Sequence, residues 1–290
     1  MGLSVRQIFD FRFNSSVARR VLGCFYKNGN VYQIGFGPIR GNRLYYDQDI
    51  NFHCMLGLWD LDGLRVLKTL FAQTEFWVPG FTVADVGANI GYMSMFFEKM
   101  TRPYGAKIYS FEPNPNILGT LKKNREINHG NFEIVQAAVT DRPGQIEFFL
   151  SHHHHTSSLV ESWAASSTHP ATKIMVQALT LTDFFAEKQT HPSFVKIDIE
   201  GGGVSAIPGL LKMVEKNPPF FYIESHTPDE DRAISKLAVD YNYSVFSVTK
   251  RKWLTHLSEI HPHPEGISGT MLLCPPKFEL ACRKLFRDAK

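Results

Sequence analysis

From Thr82 onward, apolar runs of strand length alternate with segments of helical period, and each run ends in Gly, Pro, Asn or a carboxylate. That alternation predicts a doubly wound α/β sheet. The first strand is read over residues 82–86, followed by a helix with the stripe Ile90, Met93, Phe97 and Met100. Residues 107–111 form the second strand, and Asn114 then Pro115 supply an N-cap and an N1 proline for a helix reaching about Ile127. Residues 132–139 are the third strand, and residues 145–150 an extra one behind the turn Arg142-Pro143-Gly144. Strand four, residues 194–199, leads into a helix carrying Val204, Ile207, Leu211 and Val214. Strand five spans residues 220–223, after which Thr227 and Glu230 have capping-box spacing with Pro228 at N1. Residues 243–248 and 270–274 complete a sheet of seven strands.

Before Thr82 the pattern changes to two short strands, residues 31–36 and 39–46, and a helix through Leu64, Leu67 and Phe71. About 80 residues so rich in turn signals bury little core alone. Residues 1–80 are therefore expected to be an α+β cover, and residues 81–290 the ligand-binding domain. Val5, Ile8, Phe9, Phe13, Val17 and Val21 recur at helical spacing among Arg6, Arg12, Arg19 and Arg20. Such a stripe rests on the chain's own domain, a membrane surface or a partner.

Composition narrows the classes. The 290 residues are 43% hydrophobic and 20% charged, enough for one large core. The net charge, 31 − 28 = +3, is too small for a nucleic-acid footprint, and no basic block exceeds Lys250-Arg251-Lys252. Cys24, Cys54, Cys274 and Cys282 form neither a paired framework nor metal-ligand spacing, which suits a reducing compartment, the cytoplasm. No window holds the roughly 18 apolar residues of a membrane span, and no secretory signal opens the chain. The run His152 to His155 reads as a loop that closes over a site; neighbouring histidines in extended chain point to opposite sides, so no metal is expected there.

Chemistry concentrates at the strand ends. Asp85-Val86-Gly87-Ala88-Asn89-Ile90-Gly91 is a strand ending in a glycine turn that opens into a helix, a place where backbone N–H groups meet ligands. A dinucleotide fingerprint would need glycine where Asn89 and Tyr92 stand, and Asp85 repels a pyrophosphate. Glu112, ending the second strand, is placed to accept hydrogen bonds from both hydroxyls of a ribose. A ribose and an ammonium without a pyrophosphate describe S-adenosylmethionine. Asp198 and Glu200 end strand four, and His226 follows strand five with Glu224 two residues before it. An imidazole there can take a proton from a hydroxyl while a carboxylate orients it. Asn217-Pro218-Pro219-Phe220 imitates an amino-methylating motif but precedes strand five, where it reads as a helix terminator.

These segments resemble the FkbM-type methyltransferases, class I S-adenosylmethionine-dependent enzymes. The resemblance rests on Asp85 to Tyr92, Phe111-Glu112-Pro113-Asn114-Pro115, Ser157-Ser158-Leu159, Val195-Lys196-Ile197-Asp198-Ile199-Glu200-Gly201 and Tyr222-Ile223-Glu224-Ser225-His226, with Gly37 to Gly41 similar to the family's entry segment. It implies a Rossmann-like sheet with the last strand antiparallel, and methyl transfer, commonly to a hydroxyl oxygen. One departure is Gly203, where the family usually carries a second carboxylate. The expected cofactor set comprises Asp85, Gly87, Ala88, Asn89, Gly91, Tyr92, Glu112, Pro113, Asn114, Ala137, Ala138 and Asp198; the catalytic set is His226, Asp198 and Glu224, with no metal. The acceptor is expected to be a small molecule or glycan. A nicotinamide-dependent oxidoreductase and a cofactor-binding module without catalysis remain the alternatives.

Overall fold

Asp85, Lys196 and Tyr222 stand side by side in the middle of a largely apolar sheet. The computed structural model that shows this row describes residues 25–47, 50, 52–151, 157–165, 170–255, 260 and 269–287. The stripe from Val5 to Val21, Cys24, the run His152 to His155 and most of the loop between Trp253 and Gly269 lie outside those residues.

In chain order the elements are β1 (Val31–Gln33), β2 (Arg43–Tyr45), α1 (Phe52–Leu56), α2 (Leu61–Phe71), β3 (Thr82–Val86), α3 (Tyr92–Thr101), β4 (Lys107–Phe111) and α4 (Pro115–Ile127). There follow β5 (Phe132–Val135), β6 (Ala138–Val139), β7 (Gly144–Leu150), α5 (Glu161–Ala164), β8 (Thr172–Leu179), α6 (Leu181–Glu187) and β9 (Pro192–Ile197). The chain continues through α7 (Gly203–Ala206), α8 (Leu211–Lys216), β10 (Phe220–Glu224), α9 (Pro228–Asp240), β11 (Ser244–Ser247), β12 (Lys252–Trp253), β13 (Thr270–Cys274) and α10 (Glu279–Leu285).

The main sheet has the order β12-β11-β13-β10-β9-β3-β4-β5. Pairing is parallel from β5 across to β10, and β13 enters antiparallel between β10 and β11. This is the expected seven-strand sheet with its antiparallel last strand, lengthened at one edge by the two-residue β12. Alternation along the central strands sends Val83, Phe194 and Phe220 into a core beneath α2 and α3, and Ala84, Val195 and Phe221 into a second core on the other face. The polar row is one step further along the first face.

Several boundaries depart from the sequence expectation. The third strand breaks after Val135, and Ala138–Val139 joins β7 and β8 in a separate three-stranded sheet. Strand four stops at Ile197, so Asp198 and Glu200 lie on the loop beyond it. The helix expected through Val204 and Val214 is divided at Pro208, whose missing N–H interrupts the ladder. By contrast, Asn114 caps α4 by accepting the N–H of Asn116, and Thr227 caps α9 by accepting that of Glu230.

The N-terminal elements are tied onto the sheet and onto α4. Tyr222 Oη donates to Asp60 Oδ2 at 2.6 Å, and the side chain of Asn124 accepts the N–H of Tyr45 at 2.8 Å.

Candidate active site

The turn after β3 is held by its own chain. Gly87 has φ +80°, and a Cβ there would run into the carbonyl of Asp198. Glycine is therefore demanded by the end of strand four as much as by any ligand. The N–H groups of Gly87 and Ala88 both donate to the carbonyl of Phe111 at 3.0 Å, and that of Asn89 donates to Glu112 Oε2 at 2.8 Å. The sequence expectation that this turn offers free N–H groups is thus corrected at three positions. Asp85 is fully buried behind the turn, accepting from Ser94 Oγ at 2.6 Å.

Glu112 ends β4 with 6% of its surface exposed. Its second oxygen, Oε1, accepts the N–H of Asn114 at 2.9 Å. Burial pushes its carboxyl up to about 7, against the pull of those two N–H donors. Asn114, also predicted to touch the cofactor, is buried: its N–H is held by Glu112, and its Nδ2 donates to Ser157 Oγ.

Sequence reading quoted Lys196 within a motif and gave it no role. The structure puts its ammonium at the centre of the site, 3% exposed, donating to the carbonyl of Gly87 at 2.9 Å and lying 3.4 Å from both Asp85 Oδ1 and Asp198 Oδ2. Burial opposes its charge, but the two carboxylates outweigh burial and hold its pKa above the ordinary lysine value. A lysine inside an apolar strand, with an aspartate two positions later, was the available signal; the third partner, Asp85, depends on register.

His226 stands in a ring of carboxylates. Nε2 lies 3.6 Å from Asp198 Oδ1 and 3.7 Å from Glu200 Oε2, and Nδ1 lies 3.7 Å from Glu230 Oε2. Burial disfavours the imidazolium, yet Asp198, Glu200, Glu224 and Glu230 together raise its pKa. Glu200 adopts φ +43°, with its carbonyl accepting from Ser158 Oγ at 2.5 Å, and burial lifts its carboxyl to about 7. The carboxylate facing Nδ1 is Glu230, which the sequence assigned only to a helix cap. It reaches past the cap to accept the N–H groups of His226 at 2.7 Å and Gly203 at 2.9 Å.

A cavity of about 380 Å³ connects these groups, from Glu112 and Ala138 at one end to Asp198, Glu224 and His226 at the other. Gly87, Ala88, Asn89, Tyr92, Pro113 and Ala137 also border it; Asp85, Gly91 and Asn114 stand behind its wall. Asp198, Glu224 and His226 each bring one possible ligand atom within 4.8 Å of the others.

Helices on both faces of a sheet ordered β5-β4-β3-β9-β10-β13-β11, with the cavity at its carboxyl edge, define the class I methyltransferase fold. Residues 85–245 match the Methyltransferase FkbM domain, more than half of the chain, and the protein belongs to that family. The hexuronic acid methyltransferase AglP of Haloferax volcanii is 22% identical over 201 residues, covering 67% of this chain and 76% of that protein. The 31-O-demethyl-FK506 methyltransferase FkbM of Streptomyces tacrolimicus is 30% identical over 151 residues, 48% of this chain and 57% of that one. Among solved structures, a methyltransferase FkbM from Methylobacillus flagellatus matches with a TM-score of 0.47 and 14% identity, over 68% of this chain and 44% of that one. Among the described residues, no helix is long and apolar enough to cross a membrane.

Proposed function

We propose that this methyltransferase takes its methyl group from S-adenosylmethionine, bound across the ends of β3, β4 and β9, and delivers it to a hydroxyl oxygen of a small molecule or sugar. The supporting observation is the continuity of the cavity between Glu112 and the cluster of Asp198, Glu224 and His226. Each oxygen of Glu112 accepts one backbone N–H and retains a second lone pair for a ribose hydroxyl. With three N–H groups of the glycine turn already committed, the turn lacks the donors that cradle a pyrophosphate, which counts against the nicotinamide reading. Bound S-adenosylmethionine supplies a methyl group already activated on a sulfonium.

What remains for the protein is alignment and the removal of one proton. His226 is the first choice for that proton, because its carboxylate ring makes the imidazole more basic. Asp198, 3.6 Å away, is the second, and Glu224 helps to hold the charge that develops. In this reading residues 1–80 are the acceptor-side cover and residues 81–290 the methyl-donor domain, with the Tyr222 to Asp60 bond joining the two. The name of the hexuronic acid relative favours a sugar hydroxyl. Free thiols at Cys54, Cys274 and Cys282 accord with the cytoplasm. Calorimetric titration with S-adenosylmethionine and NAD tests the cofactor, and transfer of labelled methyl to hydroxyl acceptors tests the reaction; tighter binding of NAD, or label appearing on nitrogen, would overturn the reading, and binding without turnover would leave a module without catalysis.

A further inference from the structure

The cavity's outer rim carries a feature that the methyl donor does not use. Trp59, 39% exposed, lines the cavity together with Asp47, both from the N-terminal cover. Its neighbour Asp60 is bonded to Tyr222, which lies two residues before Glu224 on the same face of β10. The backbone next to the indole is thereby tied to the strand that carries Glu224, and Trp59 lines the same cavity as Glu224, Asp198 and His226. A volume of about 380 Å³ is near the lower end of the range for one small-molecule site. A cofactor therefore fills much of it, and Trp59, partly exposed, is the aromatic ring of the N-terminal segment among the described lining residues.

The charges of that rim are one-sided. Besides Glu112, the carboxylates that line the cavity are Asp47, Asp198, Glu200 and Glu224, and the cations among the described lining residues are Lys196 and His226. Lys196 is engaged by Asp85 and Asp198, and His226 by Asp198, Glu200 and Glu230. No described cation is left to pair with an acceptor's carboxylate, and a further negative charge set among these carboxylates is repelled. Ionised carboxylates are instead strong acceptors for hydroxyl donors. An indole offers a flat apolar face with a polar edge, which matches the C–H face of a pyranose ringed by hydroxyls.

Resting on the proposed methyl-donor site, we infer that the acceptor is a neutral sugar ring stacked on Trp59, with its hydroxyls directed at the carboxylates, and that the same carboxylates exclude uronic acids. Trp59 is thus a specificity-determining residue, and this chain differs in acceptor charge from the hexuronic acid methyltransferase it resembles.

The test titrates the protein, saturated with S-adenosylhomocysteine, with methyl glucoside, galactoside and mannoside and with their uronic counterparts, followed by calorimetry and by ligand-observed NMR. At least one neutral glycoside should bind in the millimolar range, with its uronic counterpart at least tenfold weaker. Trp59→Ala should weaken the neutral glycoside at least tenfold and Trp59→Phe only a few fold, with S-adenosylhomocysteine affinity unchanged in both. Equal or tighter binding of a uronic acid, full affinity in Trp59→Ala, or no neutral glycoside bound at about 50 mM would each overturn the inference. Failure of the wild type to bind S-adenosylhomocysteine would instead strike the methyl-donor reading itself.

Discussion

Glu230 Oε2 accepts the backbone N–H of His226 at 2.7 Å while lying 3.7 Å from the Nδ1 of the same residue. One carboxylate thus sets both the position of the loop and the charge preference of the ring. Replacing it by the isosteric amide removes the charge and turns one of its two acceptors into a donor facing an N–H. Glu230→Gln should lower the His226 pKa, read by NMR titration of the imidazole, and slow methyl transfer. An unchanged titration would show that Asp198, Glu200 and Glu224 govern the ring without it.

For the chemical step, a hydroxyl is a poor nucleophile at neutral pH, and a positioned base contributes about 10²- to 10⁴-fold. His226→Ala should lower the single-turnover rate at least about tenfold while cofactor affinity stays within a few fold. Asp198→Asn should impair both, because Asp198 also faces Lys196, which donates to the cofactor turn at Gly87. Full activity in both variants would move the acceptor elsewhere on the sheet edge.

Gly203 departs from the family pattern, and a carboxylate in the first turn of a helix is ordinarily favoured by the helix dipole. The structure argues otherwise: a Cβ at 203 would lie 2.7 Å from Glu230 Oε1, which accepts the N–H of Gly203 itself. The carboxylate that is missing at 203 is supplied across space by α9. Gly203→Glu should therefore displace Glu230, costing about 1 to 3 kcal/mol in chemical denaturation and disturbing His226. Wild-type stability and turnover in this variant would mean that Glu230 relocates freely.

The pH dependence has a defined sign. Glu112 and Glu200 are both raised by burial to about 7, and His226 is raised by its carboxylates. Each holds more protons folded than unfolded, so its stabilisation is complete below the unfolded pKa, about 4.3 for Glu and 6.5 for His, and is lost as pH rises through the folded value. Between pH 5 and pH 8 the melting temperature of the unliganded protein should fall by several degrees, with Glu112→Gln flattening part of the decline. Cofactor affinity should run the other way, rising through about pH 7 as Glu112 ionises. A melting temperature that climbs from pH 6 to pH 8 would contradict the burial argument.

Much of this was legible where local chemistry decides. Asn114 with Pro115, and Thr227 with Pro228, marked two helix starts that the structure keeps, and residues 270–274 were read to the residue. β8 escaped although Ile174, Val176 and Ala178 alternate with Lys173, Met175 and Gln177, because an exposed Met175 blurs the polar face. Glu230 and Lys196 were visible as residues but not as site members. Their partners lie 27 and 109 residues away, at Gly203 and Gly87, and only strand register and helix docking bring them together.

The committed N–H groups of the glycine turn have a consequence for motion and timing. Gly87 and Ala88 are bonded to Phe111, and Asn89 to Glu112, before any ligand arrives. The turn therefore loses little conformational entropy when a cofactor binds. In hydrogen–deuterium exchange its amides should already be slow in the unliganded protein and gain little protection on saturation, so that new protection, where it develops, reports ordering elsewhere along the cavity rim.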